Sequence, residues 1–430
     1  MRSLLIALII FGILPYVFMR PHIGVLLWSW ISYMNPHRLA WGFAYSFPFA
    51  AITACVLFIA LIVSKEKKTL PINGMVIIWM MLILWVCLST AAAFDPAHSF
   101  GELTRVIKIQ IGVLITLLLF QQKDRLIQLV CVIAVSIGFF GVKGGIFSAL
   151  TGGNYRVWGP PDSFIEGNNE LALALVIVVP LIRFLHMYFN NKWLKLILLG
   201  CIGLCLLSIL SSYSRGAFLA VSAMLLFLWW KGRNKILFGI IGGLLVAGAL
   251  SFMPDQYFDR LNTIESYEED NSAMGRINAW YYAFNVAKDN VFGGGFQSFT
   301  PTSFQKYAPI RDDFHDAHSV YFEILGEHGF IGLILFLSLW ASVFLAGRGV
   351  IRYAKKHEDL VWARDLAAMV QVSLIGYLVG GAFLGLAFYD LPYHLMSIIV
   401  GLTVCVKRHK QKLLDKDENK DEGLNRNGFL

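Results

Sequence analysis

HSVYFEILGEHGFIG, residues 318–332, opens an apolar run directly after a long polar segment, and the rest of the chain is arranged around it. If a helix starts near Ser319, turns of about 100° per residue bring Gly329 within about 20° of the azimuth of His318. Gly332 falls near the same stripe. Small residues let another helix approach closely inside a bilayer. The stretch therefore predicts a histidine that is held at the membrane surface by close packing, beneath a polar loop.

The composition is that of an integral membrane protein. The chain has 430 residues, of which 57% are hydrophobic and 15% are charged, and its apolar segments are long enough to cross a bilayer. All six cysteines lie in apolar segments, so no disulfide framework is indicated. The sequence predicts an all-α fold with about 12 transmembrane helices, at roughly 3–19, 39–63, 71–93, 105–120, 126–150, 169–189, 194–212, 216–230, 236–252, 320–347, 366–389 and 391–406.

The charge distribution predicts how the chain is oriented in the membrane. With both termini in the cytoplasm, most of the 36 Lys and Arg residues fall in cytoplasmic segments, as the positive-inside rule requires. The net charge of +8 therefore reflects topology and argues against nucleic-acid binding. Residues 20–38 are rich in Trp and Tyr and too short to cross, so we expect an interfacial or re-entrant piece at the outer surface. The alternating charges of residues 407–430 predict a disordered cytoplasmic tail.

The long segment at about 253–318 is predicted to form a large periplasmic loop. Five of its apolar residues recur at helical spacing and predict an amphipathic helix on the membrane or on the spans: Ile277, Trp280, Tyr281, Phe284 and Ala287. GGGFQSFTPTSFQKYAP, residues 293–309, combines glycines, prolines and spaced phenylalanines. That composition is typical of a mobile lid over a cavity, with the three glycines as its hinge.

Cations at the outer face suggest a site for an anion. A cation near hydrocarbon costs free energy unless it is paired or used, and a guanidinium can hold phosphate oxygens with two hydrogen bonds. The candidates are Arg215 in SSYSRG, Arg156 in YRVWGPP, Arg276 at the start of the amphipathic helix, Arg105 at the start of a span, and Lys143 in GVKGG, where glycines leave room for a ligand. Alternatively, each cation anchors its helix to lipid headgroups. Asn168 and Asn169 open the sixth span and either contact sugar hydroxyls or cap that helix.

The run DDFHDAH, residues 312–318, admits a metal site as an alternative. Its possible ligands are Asp312, Asp313, His315, Asp316 and His318. Clustered carboxylates in a loop more often point into solvent, so we expect no metal there. A histidine at a helix start can also serve only as a cap or a satisfied polar contact.

The motif in residues 318–332 resembles that of the O-antigen ligases, His-[Asn/Ser/Gln]-x9-Gly-x-x-[Gly/Thr/Tyr], with every specified position filled. A second stretch, GVKGGIFSALTGGNYRVWGPPDSFIEGNNELALAL at 141–175, resembles the O-glycosylation ligases associated with exosortase A systems. These resemblances imply a GT-C-like membrane fold in three parts. They are an N-terminal half at 1–190, an O-antigen ligase-like half at 191–406 that includes the periplasmic loop 253–318, and the tail at 407–430.

The resemblance implies an inverting, metal-independent glycosyltransferase of the bacterial inner membrane, without a cofactor and with a periplasmic active site. It implies transfer of a glycan from undecaprenyl-pyrophosphate to lipid A–core in lipopolysaccharide biosynthesis. The implied catalytic residues are His318 as general base, Arg215 and Arg276, and the implied substrate-binding residues are Arg156, Lys143, Arg105, Asn168 and Asn169. O-antigen polymerases and O-linked protein glycosyltransferases of the same superfamily are alternatives, with another lipid-linked glycan or a Ser or Thr as acceptor. A transporter of lipid-linked glycan is less favoured. Transporters bind their substrates near the membrane midplane, whereas the polar residues within the predicted spans cluster at one face of the membrane.

Overall fold

The computed structural model describes residues 2–231 and 271–427, and every regular element in these ranges is helical. The predicted all-α fold is confirmed. The predicted span at 236–252 and the first part of the predicted loop, 253–270, lie outside the described residues. The α-helices are α1 (Arg2–Met19), α2 (Pro21–Met34), α3 (Phe49–Val63), α4 (Gly74–Ala91), α5 (Pro96–Leu119), α6 (Lys123–Leu150), α7 (Asn168–Tyr188), α8 (Lys192–Leu210), α9 (Arg215–Lys231), α10 (Asn271–Asp289), α11 (Pro301–Tyr307), α12 (Val320–Ala354), α13 (Val361–Gly380) and α14 (Asp390–Asn427). Four short 3-10 helices are Pro36–Leu39, Phe43–Tyr45, Glu358–Leu360 and Gly381–Phe383.

Within the described ranges, 8 helices are long and apolar enough to cross a membrane. They include α1, α4, α6, α7, α8 and α12, together with the helices that contain α13 and the first part of α14. The apolar helices α3 and α9 are shorter, at 15 and 17 residues. α5 covers the predicted span at 105–120 but begins earlier, so that polar residues fill its first turns. These helices make the chain an integral membrane protein.

α7 lies at the centre of the helix bundle. Nearly all of its side chains from Leu171 to Leu185 are buried, against α6, α8, α9 and α13. A helix that is apolar on every face is one that other helices surround. A hydrogen bond of 2.6 Å from the Ser373 hydroxyl of α13 to the carbonyl of Ile177 adds a polar contact to this packing. Such interhelical hydrogen bonds contribute to helix association within a membrane.

The bundle has two ends, which we name by the connections that they carry. The upper end carries the loop between α6 and α7, the turn between α8 and α9, and the segment from α10 to the start of α12. The lower end carries the turn between α5 and α6 and the turn between α12 and α13. Because consecutive helices alternate in direction, each connection marks one end.

The segment at 20–38 contains a helix, α2, that runs from one end of the bundle to the other. At its first turn the ring of His22 lies 6.4 Å from that of Phe120, at the lower end. At its last turn Ser32 donates to Asp390 over 3.0 Å, at the upper end. Its 14 residues span about 21 Å, which is too short for a helix in contact with lipid throughout its length. The predicted interfacial piece is therefore wrong, because α3, α5 and α6 surround α2 in place of lipid.

The direction of α1 places the two ends of the chain at opposite ends of the bundle. The Ser3 hydroxyl donates to the carbonyl of Trp41, which lies just beyond α2. The same region forms an ion pair of 3.1 Å between Arg38 and Asp162, in the loop between α6 and α7. By contrast, Arg408 of α14 donates over 2.9 Å to a carbonyl in the turn between α5 and α6. The chain therefore begins at the upper end and its last helix leaves the bundle at the lower end, whereas the sequence predicted both termini on the cytoplasmic side.

The last helix extends beyond the membrane-spanning part. α14 continues to Asn427, where the alternating charges led us to expect disorder from residue 407. No proline follows Pro392 to end the helix. Gln411 donates to Asp415 over 2.8 Å, a contact between positions i and i+4 of the kind that supports a polar helix. The predicted disordered tail is thus helical as far as Asn427.

Candidate functional site

α12 begins after His318 and is broken at Gly329. Gly329 has φ 69° and ψ −174°, a conformation that is essentially restricted to glycine. A Cβ at this position would collide with the carbonyl of Val291. Gly329 therefore does not lie in a helical stripe beneath His318, and that prediction is wrong. Gly332 lies after the break and faces the ring of Trp85 in α4, as expected for a position that admits a second helix.

Residues 293–299, which we call the strap, dock at the break in α12. The N–H groups of Gly294 and Gly295 each donate over 2.8 Å to carbonyls of α12 that the break leaves without a helical partner. On the other side, the N–H of Phe94 donates over 2.9 Å to the carbonyl of Gly294. The strap glycines therefore permit a close approach of backbone to backbone, whereas the sequence predicted that they form a hinge.

Gln297 fastens the strap to two carboxylates. Its N–H donates over 2.8 Å to the side chain of Glu327 in α12, and its side-chain amide donates over 3.0 Å to Glu102 in α5. Ser99 of α5 donates over 2.7 Å to the carbonyl of Phe296. The segment predicted as a mobile lid is thus tied to α5 and α12 at this end.

The predicted amphipathic helix is present as α10, but its buried face differs from the expected one. Tyr281 and Phe284 of the expected face are exposed, while Trp280 stacks on Phe322 of α12 with ring centroids 4.7 Å apart. The buried side packs against α11 in a small core: Ala279, Tyr282, Val286, Phe304, Tyr307 and Ala308. α10 and α11 therefore form a packed layer at the upper end, and α10 lies against α12.

His318 and Arg276 lie in the same part of the upper end. Gly275 packs against the imidazole of His315, which lies three residues before His318. Trp280 donates over 2.9 Å to the carbonyl of Ala317. The chain that leads into α12 thus crosses the first turns of α10, where Arg276 is located. His318 has a left-handed backbone with φ 42°, a conformation in which histidine is found more often than most residues. This turn places the imidazole before the first helical residue.

The pKa of His318 is lowered from its usual value of 6.5, first by burial and then by the positive charge of Arg276. The charge of Asp316 opposes this shift. The residue nevertheless keeps an exposed face. Burial and the charge of Arg276 therefore favour the neutral imidazole of His318, which has a ring nitrogen that can accept a proton.

Arg215 and Arg156 belong to a second group at the upper end. The loop between α6 and α7 is joined to the turn between α8 and α9 by hydrogen bonds from Val157 and from the side chain of Asn168, over 3.2 Å and 2.7 Å. Arg156 directly precedes Val157 and is exposed, and Arg215 directly follows the turn. These contacts bring the two arginines to the same region. Asn168 ties its helix to the turn, and the N-cap of that helix is the preceding glycine.

The 3-10 turn Gly381–Phe383 links this group with His318. Gly216, next to Arg215, packs against the side chain at the end of that turn. The glycine that starts the turn packs against Val320, the first residue of α12. Arg215 is thus next to a residue that contacts this turn, and His318 is two residues from another. The turn therefore connects the segments that carry Arg215 and His318.

Lys143 is exposed, and the glycines around it serve helix packing. A Cβ at Gly145 would collide with the backbone of Leu204 in α8, and one at Gly144 would meet Ser208. α8 therefore fills the room that we expected for a ligand, and that part of the prediction is wrong. Close contacts of this kind are what small residues provide between membrane helices.

Arg105 lies in the upper half of α5, and Asn169 lies at the upper end of α7. The guanidinium of Arg105 is 3.7 Å from Glu102 and lies over the ring of Phe164 at 4.0 Å. Through Glu102 it is connected to the amide of Gln297 in the strap. Asn169 is partly buried in the first turn of α7. The structure thus places Arg105 beside the strap.

The acidic run before His318 has partners within the protein. Asp313 pairs with His315 over 2.9 Å, and Gln305 donates to Asp312 over 2.9 Å. The amide of Asn278 in α10 donates to the carbonyls of Ile310 and Asp313, each over 2.8 Å. Asp312 and Asp313 therefore face different partners.

Glu323 and Glu327 are carboxylates of this region that the sequence analysis did not single out. They lie one turn apart on the inner side of α12, and their charges act on each other and on Glu102 and Asp316. Glu327 is only 7% exposed. Two ionisable residues four positions apart in an apolar helix are a signal of function that the sequence does contain.

Two stretches of the chain match the sequence models of known families. Residues 201–337, which include Arg215, Arg276 and His318, match the sequence model of the family described as O-antigen ligase. Residues 1–190 match a family of unknown function, DUF5935. No curated protein matches the chain. The segment that carries these three residues is therefore similar to the O-antigen ligase family.

Proposed function

We propose that the protein transfers a glycan from undecaprenyl-pyrophosphate to lipid A–core at the periplasmic face of the bacterial inner membrane. The observation that carries the proposal is a lowered pKa of His318, to which burial and the charge of Arg276 contribute, at the end of the bundle that also holds Arg215. A base next to cations suits a reaction in which an alcohol loses a proton while a pyrophosphate departs.

The proposed reaction is one inverting displacement at the anomeric carbon. His318 takes the proton of the acceptor hydroxyl as its oxygen forms the new bond to that carbon. The bond between the anomeric carbon and the pyrophosphate oxygen breaks, and the electron pair leaves with the pyrophosphate. Arg215 and Arg276 stabilise the charge that grows on the departing group. Arg156 and Arg105 are proposed to hold the donor, and no metal or cofactor is required because the guanidinium groups supply the positive charge.

The test is transfer of a lipid-linked glycan by purified protein with EDTA present. We expect His318→Ala to lower the rate at least about 100-fold, the lower range for a general base, while the protein still purifies as a folded species. His315→Ala, three residues away, is the control and should remain active. Near-normal transfer by folded His318→Ala protein would refute the base, and transfer that needs added divalent metal would refute the metal-free mechanism.

The acceptor is tested in a strain that lacks this protein. Mass analysis should show lipid A–core that lacks the transferred glycan. The glycan should return on lipid A–core when the gene is restored. Loss of glycan from secreted proteins alone would instead identify an O-linked protein glycosyltransferase. Shortened glycan chains on an otherwise modified core would identify a polymerase.

A further inference from the structure

A separate cluster of ligand-type side chains lies at the lower end of the bundle. His357 and Asp359 belong to the turn between α12 and α13, and His409 belongs to α14. One possible ligand atom from each of the three lies within 4.8 Å of the others. We propose that His357, Asp359 and His409 bind a divalent transition-metal ion such as Zn²⁺.

The distances are close to those that a metal ion needs. Nε2 of His409 lies 2.9 Å from Oδ2 of Asp359. Bonds of about 2.0–2.1 Å in a tetrahedral zinc site separate two ligand atoms by about 3.3 Å. The Asp359–His409 pair must therefore open slightly, and the other pairs, which lie within 4.8 Å, must close by no more than about 1.5 Å. Asp359 is 64% exposed, so its side chain is able to make this adjustment.

Tyr353 supports the cluster from behind. Its hydroxyl lies 3.1 Å from Nδ1 of His409, and its ring packs against that of His357 with centroids 4.6 Å apart. Histidines that bind metals usually hold their second ring nitrogen in a hydrogen bond to oxygen, which fixes the ring and its tautomer. Here that contact leaves Nε2 of His409 directed at Asp359. The proposed ion lies between these two atoms.

The combination of ligands decides which ion fits. Two imidazoles with one carboxylate suit zinc and neighbouring transition metals, and one position remains for water. Calcium and magnesium prefer oxygen ligands throughout. Bound at this place, the ion ties the polar part of α14 to the turn between α12 and α13, at the end of the bundle opposite His318.

The experiment measures metal in full-length protein purified in detergent without a histidine tag. After exposure to Zn²⁺ and dialysis, elemental analysis should find one zinc per chain. Titration with Co²⁺ should give the visible absorption of a low-symmetry site. His409→Gln and Asp359→Asn should lose this zinc, and Tyr353→Phe should bind it about 10–100-fold more weakly, as expected when an outer contact is removed.

A matched control is His98→Gln. His98 pairs with Asp95 over 2.7 Å at an exposed position of the upper end, so it tests whether any His–Asp pair captures zinc. This variant should keep the full zinc content and the Co²⁺ spectrum. Absence of stoichiometric zinc in the wild-type protein, or equal binding by wild-type protein and the His409→Gln and Asp359→Asn variants, would overturn the proposal. Both outcomes are independent of glycan transfer.

Discussion

Arg276 has two roles in the proposed reaction, and they can be separated. Its charge helps to lower the pKa of His318, and the same charge is proposed to face the departing pyrophosphate. A substitution that removes the charge changes both roles. A substitution by lysine keeps the charge but loses the planar guanidinium with its paired donors.

We expect Arg276→Gln to raise the pKa of His318, because a nearby cation disfavours the imidazolium. The rate of transfer falls as pH drops through this pKa, since the protonated ring cannot act as a base. The acid limb of the pH–rate profile should therefore move to higher pH in Arg276→Gln, and the maximum rate should also fall. Arg276→Lys should lower the maximum rate with little movement of the acid limb.

The measurement is the rate of transfer between about pH 5 and pH 8, the range in which a histidine titrates. Arg311→Gln is the control, because Arg311 is an exposed residue of the same segment. An acid limb that stays in place in Arg276→Gln would show that the titrating group is not His318 or that Arg276 lies too far from it.

Among the site residues, the motif and the position of the cations could be predicted, but their surroundings could not. Hydropathy placed Arg215 and Arg276 at the outer face, and the resemblance to the O-antigen ligases singled out these two arginines together with His318. The packing of the glycines beside Lys143 could not be predicted, because a glycine that makes room for a ligand and one that makes room for a helix are identical in sequence. Glu323 and Glu327 were missed although their spacing in an apolar run is visible.

At the scale of single elements, the break in α12 organises the upper end. It frees carbonyls that the strap glycines bind, and it lets the strap reach Glu327. The sequence predicted a continuous helix here, because glycine is tolerated within helices and nothing in the motif marks a break. The backbone angles of Gly329 show that it leaves the helical conformation, and its close approach to the carbonyl of Val291 leaves no room for a side chain there.

We expect Gly329→Ala to destabilise the protein by at least about 1–3 kcal/mol, the usual cost of forcing a side chain into such a backbone conformation. Gly349→Ala is the matched control in the same helix, because a Cβ there meets nothing within 4 Å. Alanine in a regular helix is favoured over glycine by up to about 1 kcal/mol, so this variant should be unchanged or more stable.

Thermal unfolding in detergent compares the two variants with the wild-type protein. The unfolding temperature should fall for Gly329→Ala and not for Gly349→Ala. Equal unfolding temperatures for the two variants would mean that α12 can continue through residue 329 without a break.

At the scale of the whole molecule, α2 determines on which side the chain begins. We predicted that residues 20–38 do not cross the bundle, because they are shorter than a helix in lipid needs to be. That length does not apply to α2, because protein surrounds it. Hydropathy gives the apolar segments correctly, but it does not show which of them contact lipid. One short buried helix was therefore enough to reverse the direction of α1.

The reversal predicts that residue 2 and the loop between α6 and α7 share one side of the membrane. In a variant without the six native cysteines, Arg2→Cys and Asp162→Cys should both react, in intact cells with a permeable outer membrane, with a maleimide that cannot cross the inner membrane. Lys356→Cys, exposed in the turn between α12 and α13, should react only after the cells are broken. If the whole bundle had the opposite orientation, Lys356→Cys would react in intact cells, and Arg2→Cys and Asp162→Cys would react only in broken cells. Arg2→Cys and Asp162→Cys would still give the same result as each other. Labelling of Arg2→Cys together with Lys356→Cys would instead place the first residues at the lower end and contradict the antiparallel arrangement of α1 and α2.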